Sequence, residues 1–186
     1  MATVREIITR ALRRLRVLAS GEVPTDAEAN DALTVTQGIF DKFASGGMFG
    51  RVGDLLPGAD AGSQVIAWDE VDGIELPARI QTCGGVQMPR DLALAELADE
   101  TTNEPRRYLY DARRAAWQRI DSLTLDDFCP LSSRSAEGVA AVVAMAIADE
   151  FGAQPSELII RDAGAFRFDL SVKPGEPRRT VTAEYF

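Results

Sequence analysis

The run WDEVDGIE (residues 68–75) places four carboxylates, Asp69, Glu70, Asp72 and Glu75, within seven positions. Clustered carboxylates invite a calcium reading. A calcium loop, however, needs oxygen ligands at alternating positions and a bidentate Glu near the twelfth. This run has neither, so it reads as a solvated acidic loop. Asp126 and Asp127 are adjacent in the sequence. In an extended chain neighbouring side chains point opposite ways, which is poor geometry for shared acid/base work. They read as surface charges. Cys83 lies in a TCGG turn with no basic neighbour to activate its thiol, and Cys129 stands alone, so both read as reduced cysteines. The chain has no histidine. That removes Ser-His-Asp and Cys-His nucleophiles and the usual zinc sites. There is no GxxxxGK[ST] loop and no GxGxxG. The expectation is a protein with no catalytic residues, no metal and no cofactor.

The elements around these residues are better marked than any chemistry. Thr3 and Glu6 have capping-box spacing. Ile7, Ile8, Ala11, Leu12, Leu15, Leu18 and Ala19 follow at helical spacing, and Ser20-Gly21 is the expected stop. Thr25 and Glu28 repeat the signal after Pro24. Ala29, Ala32, Leu33, Thr36, Phe40 and Phe43 then trace an apolar face as far as Ser45-Gly46-Gly47. The short SGEVP link predicts an antiparallel helical hairpin. Residues 48–63 read as a loop, QVIAW and GIELP as short strands, and PRDLALAELADE (89–100) as a short helix opened by proline. RYLYDARRAAWQRI reads as a β-hairpin that brings Tyr110 and Trp117 together. A third helix is expected from about Ser135 to Phe151. It has Val139, Val142, Val143 and Ile147 on one face, and Ala140, Ala141, Ala144 and Ala148 give it a second face of little bulk. Neighbours can approach such a helix from two sides, which makes it the expected centre of the fold. A fourth helix is expected from Pro155 to Phe168, with Leu158, Ile159, Ala163 and Phe166 apolar. The chain closes on LSVKPGEPRRTVTAEYF, whose two prolines bar a helix.

The predicted fold is mainly α with a β-containing insertion. Residues 1–47 and 132–168 would form an antiparallel bundle of about four helices. Residues 48–131 would supply the insertion with its hairpin lobe, and 169–186 an extended C-terminal arm. The hydrophobic and charged fractions, 46% and 26%, suit one globular core, and no apolar run is long enough to cross a membrane. The early arginines interrupt any signal-peptide pattern, so synthesis in the cytoplasm is expected. Net charge is −9, but residues 1–20 carry five arginines against Glu6 alone. A basic helix on an acidic body points to charge pairing between neighbouring elements or neighbouring subunits, and away from a broad DNA-gripping face.

The opening TVREIITRALRRLRVLASGEVPTDAEANDALTVTQGIFDKF and the later alanine-rich helix ending ADEFGAQPSEL add something more specific. Together they resemble the head–tail connector (adaptor) proteins of tailed bacteriophages, also called tail accessory or packaged-DNA-stabilisation proteins. The resemblance covers residues 3–43 and 132–168. Arg16 stands where this family commonly has glycine, and Phe43 where it commonly has tryptophan. The resemblance implies a structural virion protein, a ring typically of twelve copies beneath the portal protein. Such a ring extends the DNA channel, helps retain packaged DNA and offers a surface to a downstream tail or stopper protein. It implies assembly in the host bacterial cytoplasm and residence in the virion neck, with no membrane and no sequence-specific DNA contact. The insertion would face the tail. The C-terminal arm would stay loose until the portal supplies a surface, with Val181, Tyr185 and Phe186 as anchors and Lys173, Arg178 and Arg179 meeting acidic groups. Arg10, Arg13 and Arg14 would pair with Asp26, Glu28 or Asp31 of the next subunit. The alternatives are a stopper or tail-completion protein one layer further down, or a small carboxylate-dependent enzyme or regulatory binding domain.

Overall fold

The computed structural model describes residues 2–51, 64–82, 85–89, 91–98 and 105–171. The described residues fold into four helices and two small sheets, a mixed helix-and-strand architecture.

Helix α1 (Val4–Arg14) begins as its sequence signal requires. Thr3 Oγ1 accepts from the Glu6 amide at 3.2 Å, and the Glu6 carboxylate accepts from the Thr3 amide. Two amides of the first turn remain, Val4 N–H and Arg5 N–H. They donate to the carbonyls of Asp127 and Leu125, each at 2.9 Å, so no donor at this helix start is left orphaned. The same seam continues as Cys129 N–H donates to Ala2 O at 3.0 Å. Val4, Ile7, Ile8, Ala11 and Leu12 are fully buried along one stripe.

The helix stops five residues before the expected Ser20-Gly21. Arg16 takes a left-handed conformation (φ 62°), and Val17 N–H turns back to Leu12 O while Arg16 N–H bonds Arg13 O. This double bond is the Schellman closure. Helix α2 (Asp26–Ser45) ends in the same way on Gly47 (φ 70°), with Met48 N–H on Phe43 O and Gly47 N–H on Ala44 O. Leu15 and Leu18 remain buried beyond the end of α1, so the apolar pattern continues without the helix.

Helix α3 (Ser132–Ile147) contains a break at Ser135 (φ −157°, ψ 100°), whose hydroxyl accepts from the Gly138 amide at 3.0 Å. The regular part therefore starts with Ser135 as its cap, where the sequence placed it. The helix ends at Ile147, short of the expected Phe151, and the turn that follows closes on Gly152 (φ 60°) with Ala153 N–H on Ala148 O. Val139 to Ala144 and Ile147 are all buried, and α3 packs against α1, α2 and the fourth helix, α4 (Glu157–Ser171). The alanine face does what small side chains allow. Between Gly138 and Phe166 of α4 the approach is so close that a β-carbon at 138 would stand 2.5 Å from the ring.

The strands form two sheets. In the first, β5 (Ala93–Ala98), β6 (Pro105–Asp111) and β7 (Ala116–Arg119) are antiparallel neighbours in that order, and the two-residue β1 (Gly50–Arg51) adds in parallel to β5. The second is the antiparallel set β2 (Gln64–Val71), β3 (Ile74–Thr82) and β4 (Gly85–Gln87). The first sheet is the middle layer. Leu94 and Leu109 join the helical core, while Ala93, Ala95, Tyr108, Tyr110 and Trp117 pack with Leu76 of the second sheet. Tyr110 and Trp117 pair directly across β6 and β7, ring centroids 5.3 Å apart, as the sequence indicated. The Trp117 indole donates to Pro77 O at 2.9 Å and ties the two sheets together.

Two expectations are corrected here. The segment 89–100 contains strand β5 rather than a helix. Its leucines and alanines are good helix formers, but Leu92 and Leu94 are needed on one side and Ala93 and Ala95 on the other. Only a strand alternates burial in that way. The acidic run 68–75 is not a loop. Asp72 (φ 53°) and Gly73 (φ 77°) make a two-residue turn between paired Val71 and Ile74, so Asp69, Glu70 and Glu75 lie on hairpin strands.

Candidate functional site

The basic helix was the sequence's most specific candidate surface. The structure engages its arginines within the chain. Arg10 pairs with Glu137 of α3 at 2.9 Å. Arg13 donates to Glu22 O at 2.7 Å. Arg14 donates through one nitrogen to Glu137 O at 2.9 Å and through the other to Asp162 of α4 at 2.5 Å. Arg5 lies 3.7 Å from both Asp26 and Asp126. Within the protomer the pairing of Arg10 and Arg14 is with neighbouring helices, through the acceptors Glu137 and Asp162.

The acidic members stand apart from these arginines, Asp26 excepted. Glu28 closes the α2 capping box. Its bonds from the Thr25 amide and hydroxyl, each 2.8 Å, hold its carboxyl below the usual carboxylate range. Asp31 is exposed on α2 and makes no ion pair with the described residues. The arm residues Lys173, Arg178, Arg179, Val181, Tyr185 and Phe186 lie outside the described residues.

Sequence reasoning did not foresee a second set of charged contacts. Arg107 of β6 bridges Asp41 of α2 and Glu96 of β5, each at 3.0 Å. Asp121 accepts from the Arg107 amide and from the Arg119 guanidinium. Burial pushes Asp121 upward, but those bonds outweigh it and hold its carboxyl low. Arg134 pairs with Asp91, and Arg113 donates to Ser133 O, so the sheet and the start of α3 are joined at two points. Gln37 of α2 donates to Ile120 O at 2.5 Å and accepts from Leu123 N–H at 3.0 Å. Arg114 covers the ring of Phe128, 4.6 Å from its centroid. These residues are scattered in sequence, and only the fold brings them together.

These contacts hold helices and strands of the fold together. Among the described residues, the carboxylates held low, Glu28, Asp121 and Asp162, are held so by a cap or an arginine. The Cys129 thiol is pushed up to about 12 by burial and is no nucleophile at neutral pH. Asp126 is a surface charge, and Asp127 accepts from the Thr124 amide at 2.7 Å within its own turn. Among the described residues no three acidic or thiol groups converge as a metal would need. No helix of the described residues is long and apolar enough to cross a membrane.

Among the described residues, two apolar surfaces are exposed. One runs along α4 through Ile160, Gly164 and Phe168, of which Ile160 and Phe168 are 51% and 67% exposed. The other is the outer face of the β2-β3-β4 sheet, with Ile66, Trp68, Val86 and Met88. No protein-family model matches the sequence, and no curated protein matches it.

Proposed function

We propose that the protein is a head–tail connector of a tailed bacteriophage. In this reading it is a ring-forming adaptor that docks on the portal protein, extends the DNA channel, helps retain packaged DNA and presents a surface to the next tail or stopper component. One observation carries the reading. The two stretches that hold the resemblance, 3–43 and 132–168, lie far apart in sequence, yet their helices pack on one another around α3. A resemblance confined to unrelated surface segments would have little meaning. Here it covers a single packed unit.

In this reading the four helices are the subunit-to-subunit bundle, and the insertion 48–131 faces the tail. The α4 row Ile160, Gly164 and Phe168 repeats every fourth residue and leaves an apolar stripe without a partner among the described residues, as helix packing between copies requires. Arg13 is exposed and, among the described residues, bonded only to a carbonyl, so of the three arginines it is the one best placed to meet an acidic group such as Asp31 of the next copy. The acidic body would repel phosphates and let DNA slide. The residues 172–186 are then the portal-docking arm, with Val181, Tyr185 and Phe186 as anchors and Lys173, Arg178 and Arg179 as its charged contacts.

The test is binding to the portal protein of the same virion, with the full chain and with a chain stopped after Leu170. Tight binding that is lost on truncation supports the adaptor and its arm together. Binding that survives truncation keeps the adaptor and removes the arm's role. No binding by either form overturns the adaptor reading in favour of a stopper, one layer further from the capsid.

A further inference from the structure

We propose that, away from any partner, the outer face of the β2-β3-β4 sheet is the parking site of the chain's own C-terminal segment, residues 172–186. The sheet is the outermost layer of the fold. One side of it packs on the middle sheet, and the other carries Ile66, Trp68, Val86 and Met88, 49–56% exposed. Trp68 lies opposite Pro77 across the strands, so the apolar residues reach over all three strands. Large side chains gathered in this way on one exposed face mark a surface that is covered in use.

Charge says what covers it. Glu70 and Glu75 face one another directly across β2 and β3, next to the Trp68–Pro77 pair. Like charges in that position oppose the pairing, and neither makes an ion pair with the described residues. The occupant that suits this face is extended, apolar at every second position and basic. In RRTVTAEYF, an extended chain places Arg179, Val181, Ala183 and Tyr185 on one side. Lys173 falls on that same side and adds positive charge, while Arg178, Glu176 and Glu184 fall on the opposite side.

Position makes the contact intramolecular. Helix α4 ends at Ser171, and its Asp169 and Leu170 line a cleft of about 270 Å³ together with Asp91 and Arg113. Asp91 is three residues from Met88, at most roughly 11 Å of chain, and Met88 lies at the β4 edge of the apolar face. The segment thus leaves the body beside the edge it would cover. Its fifteen residues can extend roughly 50 Å, ample to cross three strands. This deepens the adaptor reading and rests on it only for the portal as the competing surface; the contact itself is tested on the isolated protein.

The experiment compares amide exchange in β2 and β4, and Trp68 emission, for the full chain and a chain stopped after Ser171. Trp68 emission is isolated by difference from Trp68→Phe. The expected result is about fivefold or faster exchange and red-shifted emission on truncation, both reversed by adding a synthetic 172–186 peptide. Arg178→Glu with Arg179→Glu in the full chain should reproduce the truncation, and adding Glu70→Arg with Glu75→Arg should restore protection. If the truncated chain does not fold, these charge variants decide alone. Exchange within twofold of the parent in them, or in the truncation, overturns the proposal. Protection that rises with protein concentration also overturns it, because the segment then comes from a second copy. Failure to bind portal with this protection intact would remove the adaptor reading alone.

Discussion

Arg14 of α1 and Asp162 of α4 are 148 residues apart in sequence and meet in a 2.5 Å hydrogen bond, with 20% and 28% of their side chains exposed. The same guanidinium holds Glu137 O of α3, so one side chain fastens three helices. Arg14→Glu should therefore lower the urea midpoint of the protomer itself, whereas Arg13→Glu should leave it nearly unchanged. The bond from Arg14 keeps the Asp162 carboxyl below its ordinary 3.8. A depressed folded-state value contributes stability that is present above the unfolded value and is lost as pH falls through the folded one. Stability should thus fall below about pH 4, and Asp162→Asn should flatten that acid limb in urea titrations.

Arg16 is a non-glycine residue in the left-handed cap of α1, while α2 and the turn after α3 close on Gly47 and Gly152. A β-carbon costs energy in that conformation. Arg16→Gly should stabilise the protein by about 0.5–1 kcal/mol, and Gly152→Ala should destabilise it by about 1 kcal/mol. Chemical denaturation measures both. A destabilised Arg16→Gly would mean that the exposed guanidinium makes a contact worth more than the strain.

Gly138 lets α3 approach the buried Phe166. Gly138→Ala has to displace the ring or the helix and should cost about 1–3 kcal/mol. The double variant with Phe166→Leu should recover part of that loss, a non-additivity of the kind expected for touching residues. Strict additivity would show that the two do not share the strain.

Cys129 is 2% exposed, and its thiol titrates near 12 instead of 9.0 because burial disfavours the thiolate. In a Cys83→Ser background, labelling by a thiol reagent at pH 8 should proceed only as fast as the protein opens, and urea should accelerate it sharply. The sign of the linkage is the reverse of the Asp162 case. A raised folded-state value contributes stability that is complete below pH 9.0 and lost as pH climbs toward about 12.

What was legible in the sequence is what depends on neighbours along the chain. The capping boxes at Thr3 and Thr25, the Ser135 start of α3, and the Tyr110–Trp117 hairpin pair are local signals, and each is present. What was missed depends on distant residues. Nothing near Leu94 announces that it must face the helices while Ala93 and Ala95 face a second sheet, so helix propensity misled at 89–100. Arg16 gives no local sign of a left-handed cap. The arginines were recognised as a charged set, but their acceptors Glu137 and Asp162 come from the far end of the chain, which composition alone cannot connect.

The seam that anchors α1 also sets an order in time. Its first amides are held by Leu125 and Asp127, its apolar stripe by α3, and Arg14 by residue 162. Eleven residues are too few for a helix to persist alone in water. On a ribosome adding about 5–20 residues per second, α1 must then wait roughly 7–30 s after its own synthesis for the last of these partners to be made. During that interval a basic, apolar-striped segment is open to chaperones and to other nascent chains. Of the described helices, the one translated first is among the last to become native.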